Sequence, residues 1–395
     1  MTAVGNLRFS TRVIPVNCSD MGIGMFKNYR IRDYDFKLVL MLITLATIGI
    51  MAIGSAEELL WKKQLAGAAA GIAAMIVISF FNYSWVLKFY WLMYLVNIGL
   101  LGLVMFSGAG DDAKGAQRWL EIGSLRFQPS ETAKILLILF FAQFIMKYKK
   151  KINTVGFIGC SVILAAIPWV MIYKQPDLST SIVVVVVFCF VMFAGGISWK
   201  LVVSAFAVAI PAVAIVISLA LQPDNDILTE YQRGRILSFV NPQEYATTLA
   251  YQQLNSVTAI ASGQLEGKGY KNNEITSVKN GNFISEARTD FIFAVIGEEF
   301  GFKGSITVII LLMGIALECV SVARKAKDTA GTVIAAGMGG LVAFQGFVNI
   351  GVATFILPNT GLPLPFVSYG LTSLMSLFMG MGFVLNVRLQ AKRAK

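Results

Sequence analysis

Residues 36–55 read FKLVLMLITLATIGIMAIGS, twenty positions with one charge, Lys37. At about 1.5 Å of helical rise per residue, such a stretch covers a hydrocarbon core of about 30 Å. Runs of the same kind recur along the 395-residue chain at 61–81, 85–106, 131–146, 153–173, 177–195, 199–221, 303–323, 330–357 and 366–387, which makes ten expected spans. Composition agrees: 56% hydrophobic residues, 14% charged residues and a mean hydropathy of +0.70 lie outside the range of an ordinary soluble domain. The expected fold is all-α, a polytopic membrane protein with one transmembrane domain over 36–388, short tails at 1–35 and 389–395, and a large outer loop, 222–302, between the seventh and eighth spans. No repeat and no low-complexity linker divides it.

Orientation follows from the basic residues. The first 35 residues lack a compact apolar core and carry Arg8, Arg12, Lys27, Arg30 and Arg32, so they read as a cytoplasmic tail and not as a cleaved signal. With that tail inside, every inside segment holds at least one cation: Lys88, then Lys147 and Lys149 to Lys151, Lys200, Arg324 with Lys325 and Lys327, and finally Arg388 with Lys392, Arg393 and Lys395. Both termini are expected in the cytoplasm of a cell whose plasma membrane the chain crosses. The net charge of +11 is explained by this topology and by attraction to anionic membrane lipid, and nucleic acid is a poor alternative partner. Cys160, Cys189 and Cys319 fall in apolar spans and Cys18 in the tail, which suits packing and leaves no pair to bridge an outer loop. The chain has no histidine, so acid–base chemistry falls to carboxylates, lysine or tyrosine.

Polar residues gather on the outer segments. In 107–130 stand Arg118, Trp119 and then Arg126-Phe-Gln128-Pro129-Ser130-Glu131, followed by Lys134. Ser130 as cap or Pro129 in the first turn would start a helix, with Glu131 at its positive end and Glu131 and Lys134 on one face. That pair reads either as a local ion pair easing two charges into the membrane or as the charged floor of a polar site. Trp119 suits an interfacial anchor. Gln175-Pro176-Asp177 reads as a turn with a capping aspartate. In the long loop, Arg233 and Arg235 either meet lipid headgroups or clamp a substrate phosphate. Further on, Glu286 and Asp290 are i and i+4 if that run is a short helix, and Asp290 leads straight into an apolar segment. Partial desolvation there raises a carboxylate's pKa and improves it as a base; the competing reading is a helix cap or a pair with Arg288. The last outer turn, Leu357 to Gly370, has three prolines and no charge, so it is expected as irregular backbone buried at membrane depth, with Ser368 and Tyr369 near its end.

These residues resemble the SEDS family (shape, elongation, division, sporulation), which includes RodA, FtsW and SpoVE. The matching runs, in the family's order, are Arg118-Trp119, Phe127-Gln-Pro-Ser-Glu131 with Lys134, Gln175-Pro-Asp-Leu178, Tyr231-Gln-Arg233 with Arg235 to Pro242, Thr289-Asp-Phe-Ile-Phe293 with Glu298-Glu299, and Gly361-Leu-Pro-Leu-Pro-Phe-Val-Ser-Tyr-Gly370. The resemblance spans about 36–388 and is more RodA-like than FtsW-like. It implies ten helices with a large loop after the seventh, and a peptidoglycan glycosyltransferase that polymerises undecaprenyl-linked lipid II at the outer face of the bacterial plasma membrane beside a class B penicillin-binding protein. Asp290 matches the aspartate regarded as catalytic in the family, and Glu131 with Lys134 its charged pair. Three positions depart from the family's usual residues: Ser179 and Ser285 replace a glycine and a proline, and Leu371 interrupts a glycine pair. They concern backbone shape and not charge.

The residue types suit the implied reaction. An acceptor hydroxyl attacking a sugar-pyrophosphate needs one base, for which Asp290 is the candidate, and the leaving pyrophosphate needs cations, which Arg233, Arg235, Arg118 or Lys134 can supply. Gln128, Asp177, Glu286, Ser368, Tyr369 and Trp119 complete the expected supporting set. A magnesium or manganese ion can share the cationic task, but no compact ligand motif assigns it. The rival reading is a flippase for the same precursor, which would favour binding groups near the midplane and inverted repeats. A scaffold without chemistry explains the helices but not the carboxylate clusters.

Overall fold

The structure is a computed structural model and describes residues 33–107, 109–111, 116–122, 125–220, 230–271, 277 and 283–391. Most of both expected tails, with Cys18, and the opening of the long loop lie outside the described residues. The chain forms α1 (Phe36–Ala56), α2 (Trp61–Phe80), a short α3 (Tyr83–Val86) leading into α4 (Tyr90–Ser107), then β1 (Ala109–Asp111), β2 (Ala116–Ile122) and β3 (Leu125–Phe127). There follow α5 (Pro129–Lys147), α6 (Val155–Lys174), α7 (Leu178–Gly195), α8 (Trp199–Ala220), α9 (Glu230–Val240), α10 (Tyr251–Ser262), α11 (Ile292–Lys325), α12 (Thr329–Ala353) and α13 (Leu371–Leu389). Among the described residues nine helical segments are long and apolar enough to cross a membrane, and α8, of 22 residues, stands where the seventh span was expected.

Lipid tails are as apolar as leucine, so these helices associate through close packing instead of hydrophobic exclusion. Glycines supply the closeness. On α2, Gly67 faces Leu371 and Gly71 faces Phe378 of α13, while a Cβ on Gly382 would sit 2.8 Å from the Met75 carbonyl. The inner helices are α5, α12 and α13, with 78%, 67% and 72% of their spans buried, against 22% for α6 on the rim. Pro168 inside α6 has no N–H and leaves the Leu164 carbonyl without its helical donor. The Tyr94 hydroxyl of α4 donates to that carbonyl at 2.8 Å, so the break becomes an interhelical bond. Cys160 and Cys189 lie on the exposed surface and do not pack in the core as expected, whereas Cys319 is fully buried; all three are free thiols.

One end of the bundle is tied by a polar network. Asn386 of α13 accepts from the Tyr83 N–H at 2.9 Å and donates to the Ser79 carbonyl at 2.7 Å, while the Tyr83 hydroxyl donates to Asp328 at 2.9 Å. Lys327 lies 4.6 Å over the Tyr83 ring and donates to Ser84 at 3.0 Å. Replacing Asn386 by alanine strips two buried backbone groups of partners, and thermal unfolding in detergent is expected to report a loss of about 2 kcal/mol.

Three differences from the sequence reading bear on the site. The segment between α4 and α5 holds a small antiparallel sheet in the order β1-β2-β3. The eighth span starts at Ile292, well before the expected 303, because Ile292 to Glu299 is buried against protein and its glutamates have partners there. That helix is interrupted at Gly301, with φ 61° and ψ −156°, where a Cβ would lie 2.4 Å from the Gly267 nitrogen. The loop after α10 takes up the groups so released: Lys268 and Gly269 donate to the Glu298 and Glu299 carbonyls at 2.9 and 3.1 Å, and Phe302 donates to the Gln264 carbonyl at 2.8 Å. Finally, α12 ends at Ala353 and α13 begins at Leu371, both inside the expected spans, since Pro358, Pro363 and Pro365 exclude helix between them. That connection is buried as expected, with Leu362, Leu364, Phe366 and Val367 at 3% exposure or less.

Candidate functional site

Asp290 lies at the end of the bundle opposite the Asn386 network, two residues before α11. Residues 285–291 form successive turns and not the short helix considered from sequence. The Thr289 and Phe291 N–H groups both donate to the Glu286 carbonyl at 3.2 Å, and the Thr289 hydroxyl donates to the Glu286 carboxylate at 3.0 Å. Asp290 does not cap α11, whose N-cap is Phe291. Arg288 pairs with Glu57 in the α1–α2 connection.

The backbone around Asp290 is held at three successive carbonyls. Tyr369 N–H donates to Arg288 O at 2.9 Å, the Ser368 hydroxyl to Thr289 O at 2.5 Å, and the Asn349 amide to Asp290 O at 2.8 Å. The same Asn349 nitrogen donates to Leu362 O at 2.7 Å. Ser368 also accepts from Leu364 N–H at 2.8 Å, and Gln64 of α2 donates to the Ser368 carbonyl at 3.2 Å. The proline-rich connection is thereby sewn along the turn that carries Asp290.

Gly361 marks where the carboxylate points. At φ 75° it occupies the left-handed region, and a Cβ there would stand 3.1 Å from Asp290 Oδ2 and 3.8 Å from Arg235 Nη2. Arg235, on α9, donates through Nη1 to the Thr360 carbonyl at 3.0 Å, and the Ser179 hydroxyl from the first turn of α7 donates to that same carbonyl. A carboxylate and a guanidinium therefore converge on one glycine, with Arg233 one side of Gly234 on the same helix. Tyr369 is a phenol whose pKa burial raises above the usual value, the Arg288 guanidinium opposing that shift, so at neutral pH it is a neutral hydroxyl and not a base.

The other expected residues stand on β2, on α5 and in the α6–α7 turn. Arg118 is carried by β2 to the α6–α7 turn, where it donates to Gln175 O at 3.3 Å and to Pro176 O. Trp119 follows it in the sheet, paired with Ala109. Asp177 caps α7 by accepting from Thr180 N–H at 3.1 Å, as the turn reading expected. Pro129 takes the first position of α5, Gln128 is the N-cap without a side-chain bond, and the Gln128 N–H donates to Thr372 at 3.4 Å. Below it, Lys134 Nζ meets Glu131 Oε1 at 2.7 Å with the two side chains 1% and 3% exposed, and Glu131 Oε2 is buried without a hydrogen-bond partner. Lys134 also lines a small apolar cavity with Val184, Val187 and Phe188. Asn349, Thr360 and Ser256, which donates to Ala353 O at 2.7 Å, carry much of the geometry and were not singled out in the sequence. Two amides one turn apart in the apolar run of α12, Gln345 and Asn349, were the available signal.

The family model for FtsW, RodA and SpoVE, described as "Cell cycle protein", matches residues 35–393. The chain is 34% identical over 368 residues to peptidoglycan glycosyltransferase MrdB of Escherichia coli K12, covering 91% of this chain and 94% of that one. It is 33% identical to the probable peptidoglycan glycosyltransferase FtsW of Geobacter metallireducens, with 92% and 96% covered. Among solved structures, it matches a chain of "Structural coordination of polymerization and crosslinking by a peptidoglycan synthase complex" with TM-score 0.74, 27% identity and 90% and 97% coverage. The rod shape determining protein RodA of Thermus thermophilus matches with TM-score 0.66, 25% identity and 91% and 98% coverage.

Proposed function

Since the chain belongs to the FtsW, RodA and SpoVE family, we infer that it is a peptidoglycan glycosyltransferase of the bacterial plasma membrane that polymerises lipid II into glycan strands. The observation that carries the mechanism is the meeting of Asp290 and Arg235 at Gly361. Asp290 accepts the proton of an acceptor sugar hydroxyl as its oxygen bonds to the anomeric carbon of the lipid-linked sugar. The bond from that carbon to the pyrophosphate oxygen breaks with its electron pair, and undecaprenyl pyrophosphate departs as an anion. Arg235, with Arg233 beside it, stabilises the charge that develops on the leaving group. Glycine at 361 lets the sugar approach the carboxylate where any side chain would intrude. Glu131 and Lys134 form the charged floor below the site, and Arg118 fixes the α6–α7 turn whose next helix supplies Ser179.

Among the described residues no three His, Cys, Asp or Glu side chains gather as a metal site. The donor set thus offers a magnesium or manganese ion the Asp290 carboxylate but no closed cage, and each step above is carried by the chain's own groups. The Asp290 end faces outward and both termini inward, because Lys88, Lys149 to Lys151, Lys325 and Arg388 crowd the opposite end. The partner we propose is a class B penicillin-binding protein, which would supply crosslinking; the matched chain belongs to a peptidoglycan synthase complex that coordinates polymerization and crosslinking.

The test gives purified full-length chain lipid II in detergent, with and without a class B penicillin-binding protein, and resolves products by size. Glycan strands are expected, and more of them with the partner. Movement of lipid II across liposomes without any polymer would establish a transporter instead.

A further inference from the structure

We propose that Asn349 is a positioning residue for Asp290, through which a rigid helix sets the place of the reacting carboxylate; this rests on the glycosyltransferase reading above. Asn349 lies in the last turns of α12 at 1% exposure, one turn after Gln345, an equally buried amide whose two polar atoms have no hydrogen-bond partner. Its amide nitrogen has two hydrogens, and both are used, on Asp290 O at 2.8 Å and Leu362 O at 2.7 Å. Both neighbours are carbonyl oxygens, which accept only, so the nitrogen must face them. The other half of the amide, Oδ1, is buried without a hydrogen-bond partner. A polar side chain half satisfied in an apolar helix is there for its donor half.

The three donors to residues 288–290 are not equivalent. Tyr369 and Ser368 belong to the irregular connection between α12 and α13, which is itself one of the parts to be placed. Only Asn349 acts from a regular helix, one of the most buried in the bundle. Its second bond, to Leu362, fixes the residue after Gly361, whose surface meets Asp290 Oδ2. One nitrogen therefore sets both the aspartate and the wall it faces. Displacing a reacting group by about 1 Å costs about a hundredfold in rate without changing how remote parts of a substrate bind.

The experiment measures lipid II polymerisation by the full chain carrying Asn349→Ala, Asn349→Asp or Asn349→Ser, beside wild type, Asp290→Ala and Asn386→Ala. Asn349→Asp keeps the volume but loses both N–H donors, and Asn349→Ser donates one hydrogen where two are used. The expected result is a fall in kcat of about 10- to 100-fold for the alanine and aspartate variants, an intermediate value for serine, and a KM for lipid II within about twofold of wild type. Asn386→Ala, which removes an equally buried amide at the other end, keeps its kcat. Hydrogen exchange over 286–291 and 361–369 quickens in the Asn349 variants and not in Asn386→Ala, a readout that needs no activity. Should Asn349→Ala fail to fold, the aspartate and serine variants decide. Wild-type kcat in Asn349→Asp, or equal losses from Asn349 and Asn386 variants, would overturn the assignment. A wild-type chain that makes no polymer while exchange responds as described would overturn the reaction and leave the positioning intact.

Discussion

Asp290→Ala is expected to make no glycan strands from lipid II, while the purified variant elutes and melts as the wild-type chain does. A positioned general base contributes about a hundred- to ten-thousandfold, the chain has no histidine, and the nearby Glu286 carboxylate is engaged by the Thr289 hydroxyl. Tyr369 is unsuited, its proton being held more tightly than usual by burial. Folding survives because the turn that carries residue 290 is held by its backbone carbonyls, through Tyr369, Ser368 and Asn349. Asp290→Asn sharpens the test, since it keeps the shape and loses the base; it too is expected to be inactive. Polymerisation at the wild-type rate by either variant would remove Asp290 from the mechanism.

The second large effect is on stability. Lys134→Met leaves Glu131 as an unpaired carboxylate at 3% exposure, and breaking a buried pair in this way costs about 3–5 kcal/mol. Thermal unfolding in detergent is the measurement. Glu131→Gln combined with Lys134→Met removes both charges, so most of that loss is expected to be recovered. Polymerisation is expected to stay low in the double variant if, as proposed, the charges and not merely their mutual neutralisation serve the site. A double variant that regained full activity would reduce the pair to a local device for burying two charges.

The polytopic helical architecture was legible because each span declares itself by local composition, and lipid admits few alternatives for an apolar run of about 20 residues. Capping by Asp177 and the start of α5 at Pro129 were legible for the same reason: both depend on neighbours three or four positions away. The sheet in 107–130 was not, since strands of three and seven residues carry too little pattern against an apolar background. Nor was the early start of α11, where Glu298 and Glu299 look like loop residues until Lys268, Ser277 and Ser55 are seen around them.

Sequence by itself determined the class of molecule, the position of its spans and the identity of the charged residues, through hydropathy and through motifs whose order matches a known family. It named Asp290 and Arg235 as base and cation of one reaction but, 55 positions apart, gave no geometry between them. Only the tertiary structure decided that they meet at Gly361, that Ser179 and Arg235 share the Thr360 carbonyl, and that Asn349 reaches Asp290 and Leu362 at once. The reason is physical: hydrophobicity is a property each residue carries alone, whereas a hydrogen bond between distant segments exists only once packing has fixed both backbones.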